Sequence, residues 1–222
     1  MPGFDIDFAV MLFPLMLKYL KVTLLLSIGA AFWGILAAVF IALCIDLKVK
    51  LLAPFVKVYV SFFRGTPLIA QLFLMYFGFV QVIPSFKNMS SFTAALIVLS
   101  LNAAAFMSET IRGSISSVNK GQMEACVSVG MSYLQAMRRV ILPQATRVAI
   151  SALFNSFISI VKNSSLAFTI GVTEMIAVAQ LEAASSYRYL EAFIDIAVVY
   201  WALTLVLGKV QQRIERNLSV QN

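Results

Sequence analysis

Three uncharged stretches fix the solvent in which this chain can fold. Val22–Ile45, Leu68–Phe86 and Met89–Ser108 contain no Asp, Glu, Lys or Arg. A bilayer core of about 30 Å is crossed by roughly 20 apolar helical residues, so each stretch reads as a membrane-spanning helix. Helix is the reading because hydrocarbon offers no water to backbone amides, which an α-helix satisfies internally. The second helix is expected to begin earlier, near Leu52, because its N-terminal part stays apolar around Lys57 and Arg64. Pro84, Ser85, Asn88 and Ser90 mark a break before the third span. Two weaker runs follow, Val148–Val161 and Ala192–Gly208, the first extended by snorkelling of Arg147 and Lys162. The expected fold is an all-α integral membrane helical bundle of about five transmembrane helices, one domain over residues 1–222.

Composition narrows what such a bundle does. Charged residues make up 12% of the 222, about half the share of a soluble domain. The net charge of +7 is spread thinly between apolar runs, which argues against a nucleic-acid surface. Histidine is absent, which excludes Ser-His and Cys-His nucleophiles, the H-E-x-x-H metal site and His proton relays. There is no Walker A sequence and no GxGxxG, so nucleotide chemistry belongs to a partner. Cys44 and Cys126 lack metal-ligand spacing. No catalytic residue and no metal site is expected on this chain. Residues 1–21 lack the basic start and cleavage site of a secretory signal, and the first run is too long for a signal core.

Basic residues orient the spans. Lys18, Lys21, Lys87, Lys162 and Arg188 fall on one side. Lys48, Lys50, Lys57, Arg112, Lys120, Arg138, Arg139, Arg147, Lys209, Arg213 and Arg216 fall on the other, with Arg64 left out. Five against eleven places the N-terminus outside and the C-terminus inside, with the basic loop at about 112–147 in the cytoplasm. In that loop Asn119 with Gln122 and Ser132 with Gln135 have capping-pair spacing. Gly130 suits a left-handed helix ending, and Pro143 marks a stop or bend. Two short helices are expected, Lys120–Val129 and Tyr133–Ile141. They read either as an amphipathic loop on the membrane surface or as a docking element.

The segment Glu124-Ala125-Cys126, then Gly130, then Val140-Ile141-Leu142-Pro143 resembles the EAA loop of ABC importer permeases. That family pattern is E-A-A, three residues, G, nine residues, I-x-L-P. Its spacing is intact here, with Cys126 for the second Ala and Val140 for Ile. The segments Ser61–Leu72, Ser100–Phe106, Glu109–Arg112, Asn155–Phe157 and Lys162–Leu166, with Ile170–Val172 and Glu174, resemble the polar amino-acid branch, cystine-type permeases most. The resemblance implies that Glu124, Ala125, Gly130, Leu142 and Pro143 couple to a cytoplasmic ATPase subunit that holds ATP and Mg, with no cofactor on this chain. It also implies an extracytoplasmic substrate-binding protein, a second permease copy and the bacterial cytoplasmic membrane as setting.

Arg64 is costly in an apolar helix and calls for a cavity or a partner. It either receives a substrate carboxylate through its guanidinium fork, or pairs with Glu109, or snorkels. Gly65 and Pro67 are expected to interrupt the helix beside it. Thr66, Gln71, Asn102, Glu109, Asn163 and Ser164 complete the candidate substrate set. Glu109 reads as a contact for a substrate ammonium or as an end cap near Arg112. Asn163 stands where many family members carry Asp, which argues against a strongly cationic substrate, with Glu174 as the candidate compensating acid. An ion-coupled carrier is the rival reading; inverted repeats would mark it, and none is evident.

Overall fold

A computed structural model describes residues 4–46 and 49–219, and those residues are helical with no strand among them. Helix α1, Ile6–Asp46, starts well before its uncharged run. Lys18 and Lys21 do not precede it; they lie exposed on its flank, because long basic side chains can sit on a helix while their charges reach water. Lys48 lies outside the described residues.

The second span differs from a single helix. Helix α2, Ala53–Gly65, and helix α3, Leu68–Val82, meet at a bend of 112°. Helix α3 contains a π turn at Leu74–Gly78, and a short 3₁₀ turn at Pro84–Phe86 closes this region. Helix α4, Ser91–Ser116, opens on the Ser90 hydroxyl, which accepts the Thr93 amide. Helix α5, Lys120–Ser128, is followed by α6, which runs unbroken over Tyr133–Ile170. Helices α7, Met175–Ser186, and α8, Tyr189–Ser219, end the bundle. Among the described residues four helices are long and apolar enough to span, or five where the bent α2–α3 pair is counted as one span.

Pro143 does not stop a helix. The π turn at Met137–Ile141 leads directly into Leu142–Asn163, with Pro143 within the first residues of that α segment. The wider turn provides what a proline otherwise disrupts: Pro has no N–H to give, and its ring crowds the preceding turn.

The broadest packing is α1 on α4. Ala30, Gly34 and Ala38 recur every four residues along α1, and buried Ala94, Ala95 and Ala103 lie on α4. Small residues let helices approach closely where lipid supplies no hydrophobic drive between them. A Cβ added at Gly34 would sit 2.8 Å from Ala103 Cβ. Leu72 and Met75 of α3 and Ile160, Ala167 and Ile170 of α6 complete this central core. At one end of the bundle Arg188 pairs with Asp5 at 3.1 Å, tying the start of α1 to the α7–α8 corner. Nearer the other end the Ser151 hydroxyl donates to Glu215 and Gln211 Nε2 donates to Ser151 O, fastening α6 to α8.

Candidate functional site

The break between α2 and α3 begins with Pro67. It lacks an N–H and disfavours helical backbone in the residue before it. Thr66 and Pro67 are extended, with ψ of 146° and 136°. The carbonyls so released sit at membrane depth and need donors. The Thr66 hydroxyl donates to Phe62 O at 2.8 Å. Gln71 Nε2 serves Phe63 O at 3.0 Å, Thr66 O at 3.1 Å and Thr66 Oγ1 at 2.8 Å. Asn102 Nδ2, from α4, donates to Gln71 Oε1 at 3.0 Å and Phe63 O at 3.3 Å. Three of the predicted substrate residues therefore spend polar atoms on holding the break open. A Cβ at Gly65 would meet nothing within 4 Å, so the break faces open space.

Arg64 sits on the last turn of α2 with its side chain 45% exposed. Its guanidinium carbon lies 5.7 Å from the centre of the Phe106 ring, within cation–π range. Its Nη1 is 3.5 Å from Glu109 Oε2. Glu109 Oε1 accepts from Arg112 Nη1 at 2.9 Å, and Arg112 Nε donates to Asp46 Oδ1 at 3.0 Å. Two cations and two carboxylates from α1, α2 and α4 thus form one chain of contacts.

Beside this cluster, a cavity of about 220 Å³ opens between α4 and α6. Asn102, Phe106 and Met107 line one wall; Ser156, Ser159 and Asn163 line the other. Among the described residues no charged side chain lines it. Phe106 is one of the lining residues and Arg64 stands over its ring, while Arg64 itself does not line the cavity. Ser164 is fully buried and its hydroxyl donates to Val161 O at 2.8 Å, turned to the backbone. Glu174 does not replace the acid missing at Asn163. It is fully buried at the start of α7, accepting from Ala177 N at 2.9 Å and Thr23 Oγ1 at 3.1 Å.

The loop between α4 and α6 forms a second constellation. Gly130 has φ of +80°, where an L side chain is strained. Gly130 N donates to Val127 O at 2.9 Å and Met131 N to Cys126 O at 3.0 Å, the paired bonds of a Schellman ending. Ser132 and Gln135 then form a full capping box. At Asn119 the expected box is replaced by a simpler cap, the side chain accepting from Gly121 N at 2.8 Å. Glu124, Ala125, Leu142 and Pro143 are exposed, as are Val127, Val129, Tyr133 and Leu134. Cys126 is free and turned inward.

Residues 34–220 match the family model of the binding-protein-dependent transport system inner membrane component. The chain belongs to this family. The permease is 46% identical over 217 residues to the probable amino-acid ABC transporter permease protein PatM of Vibrio harveyi, covering 98% of this chain and 97% of that one. It is 42% identical to the L-cystine transport system permease protein TcyB of Bacillus subtilis, over 88% of this chain and 83% of that one. Among solved structures, an amino acid ABC transporter with histidines superposes with a TM-score of 0.91 at 36% identity, covering 97% of this chain and all of the other. As a member of this family with several apolar helices, the permease is a multi-pass inner-membrane component of a binding-protein-dependent transport system, and the family implies an ATPase and a substrate-binding protein as partners.

Ser156, Ser159 and Phe106 were not in the predicted set. A signal for the serines existed: positions 156, 159 and 163 repeat at helical spacing, a polar stripe along one face of the helix. Phe106 carried none, since its role comes from the α2–α3 bend that brings Arg64 above it.

Proposed function

We propose that the permease moves a polar amino acid, L-cystine in first place, into the cytoplasm by alternating access. The observation that carries this is the uncharged cavity between α4 and α6, largely apolar with Asn102, Ser156, Ser159 and Asn163 on its walls, and the Arg64 guanidinium over the ring of its lining residue Phe106. Every amino acid brings a carboxylate, which a guanidinium fork recognises in two-point geometry. Asn163 and the remaining acceptor positions of Asn102, Ser156 and Ser159 offer polar contacts without charge, suiting a neutral polar side chain; the two serine hydroxyls already donate to Ala152 O and Asn155 O at 3.1 Å. The names of PatM and TcyB support the same class.

In this reading the N-terminus faces outside and the loop around Gly130 faces the cytoplasm. Exposed Val127, Val129, Tyr133 and Leu134 form an apolar surface, the kind that marks a partner contact. The partner is the ATPase subunit, which holds ATP and Mg and performs the hydrolysis. Two copies of the permease enclose the path, and a binding protein delivers the amino acid. This chain binds, positions and transmits; it makes and breaks no covalent bond.

The test is uptake into proteoliposomes holding permease, ATPase and binding protein, after thermal-shift screening of the complex against amino acids including cystine. Uptake that needs ATP and is blocked by an ATPase inhibitor is the expected result. Uptake driven by an ion gradient without ATP, or no amino acid shifting the complex, would overturn it.

A further inference from the structure

Resting on the carboxylate role given to Arg64, we propose that Glu109 is a built-in stand-in for the substrate carboxylate: it occupies Arg64 while the permease is empty and yields it when an amino acid arrives. The two oxygens of Glu109 are unequally held. Oε1 receives Arg112 at 2.9 Å, a full charge-assisted hydrogen bond. Oε2 stands 3.5 Å from Arg64 Nη1, close enough for attraction and too far for a good hydrogen bond. Arg112 is the firm partner of Glu109 and Arg64 the loose one.

This inequality makes release cheap. When Arg64 turns away, Glu109 keeps Arg112, and Arg112 keeps Asp46 at 3.0 Å. No carboxylate is left alone in a place where an unpaired charge is costly. The turn itself is short. Phe106 and Glu109 stand three residues apart on α4, on neighbouring turns of one face. Arg64 lies over the first and beside the second, and the first lines the cavity. A guanidinium pivoting on that ring passes from Glu109 to the cavity without leaving its cation–π seat.

In this proposal the contact also sets a hurdle for inorganic anions at a half-exposed arginine. An incoming anion must outcompete a tethered carboxylate. A zwitterion that also fills the cavity does so with its remaining polar groups; chloride has none.

The experiment measures equilibrium binding to the purified permease–ATPase complex in nanodiscs, without binding protein, using radiolabelled L-cystine and then a panel of the proteinogenic L-amino acids. High salt suppresses long-range charge effects. For the amino acid that binds, Glu109→Gln is expected to tighten binding about two- to fivefold, the worth of one half-exposed ion pair. The methyl ester of the same amino acid should gain nothing, because it brings no carboxylate to claim Arg64. Arg64→Ala should lose the free acid's advantage over the ester. Weaker binding in Glu109→Gln assigns Glu109 to the substrate ammonium, and unchanged binding makes it a structural tie; either result overturns the proposal and leaves the amino-acid site standing. If no amino acid binds wild type, the carboxylate role of Arg64 falls first and this inference with it. Should Glu109→Gln fail to assemble, Asp46→Asn serves instead. It frees Arg112 to hold Glu109 more fully, and is expected to tighten free-acid binding in the same direction; no change there would equally overturn the proposal.

Discussion

Replacing Gly34 by alanine tests the α1–α4 packing at its closest point. The new Cβ would stand 2.8 Å from Ala103 Cβ, 3.4 Å from Ser100 O and 3.5 Å from Ala104 N. Carbon atoms rest about 3.5–4.0 Å apart, so the helices must separate by roughly an ångström there. A gap of about 0.5–1 Å forfeits a quarter to a half of each dispersion contact along the seam. Overpacking of this kind costs about 1–3 kcal/mol, against about 1 kcal/mol that alanine gains over glycine in a helix. The net is a loss of about 0–2 kcal/mol for Gly34→Ala, and a larger one for Gly34→Leu. Gly29 supplies an internal control. A Cβ there meets Leu96 Cδ1 at 2.9 Å, the tip of a side chain that can rotate away. Thermal unfolding of the detergent-purified complex should therefore rank Gly34→Leu below Gly34→Ala, with Gly29→Ala at or above wild type. Removing the opposing methyl in Gly34→Ala with Ala103→Gly should return most of the loss. If Gly34→Ala matches or exceeds Gly29→Ala in stability, the close approach of the two backbones is not what holds this pair together.

Gly130→Val places a β-branched side chain at φ +80°, costing about 1–2 kcal/mol in the loop; ATPase copurification and coupled uptake should fall while membrane insertion is unchanged, and normal coupling would count against the docking role. Arg64→Lys keeps charge and loses the fork, and should cut uptake substantially; Arg64→Ala should cut it further while the unfolding temperature moves little, since exposed ion pairs contribute about 0–1 kcal/mol. Recovery of uptake in Arg64→Ala with Glu109→Ala would mean the pair is structural only. Cysteine placed at Ser132, which is exposed, should be labelled by an impermeant maleimide only after cells are permeabilised; labelling in intact cells would reverse the proposed orientation.

Much of the bundle could be read from charge-free length alone, because hydrocarbon imposes helix on any segment that crosses it. The loop was legible residue by residue: Gly130 occupies a left-handed position and Ser132 with Gln135 forms a reciprocal cap, both consequences of local backbone chemistry. The start of α1 was not, since the uncharged run stops at Lys21 while the helix continues back past Lys18 and Pro14 to Ile6. Nor was the continuation through Pro143, which depends on a π turn that no short pattern announces. At the candidate site the break at Gly65–Pro67 was visible, yet its consequences were not. Thr66, Gln71 and Asn102 look like ligands in sequence because they are polar at membrane depth. Much of their polarity instead serves backbone carbonyls that the break itself exposes.

The unbroken α6 has a mechanical consequence. Its 38 residues, at about 1.5 Å each, make a rod of roughly 57 Å. Ser151, where Glu215 and Gln211 of α8 hold it, lies near the middle. The far end, the 3₁₀ segment Ser164–Ile170, is set in the central core by Ala167 and Ile170, while the near end is the exposed loop helix beside Gly130. A stiff rod held at its middle and at one end is a lever whose free arm is the loop end. A tilt of about 10° of that arm, half the rod, corresponds to roughly 5 Å at the loop, about one helical turn. The cavity wall of Ser156, Ser159 and Asn163 lies between the two holding points, so a load on the loop reaches that wall through the rod rather than being absorbed before it.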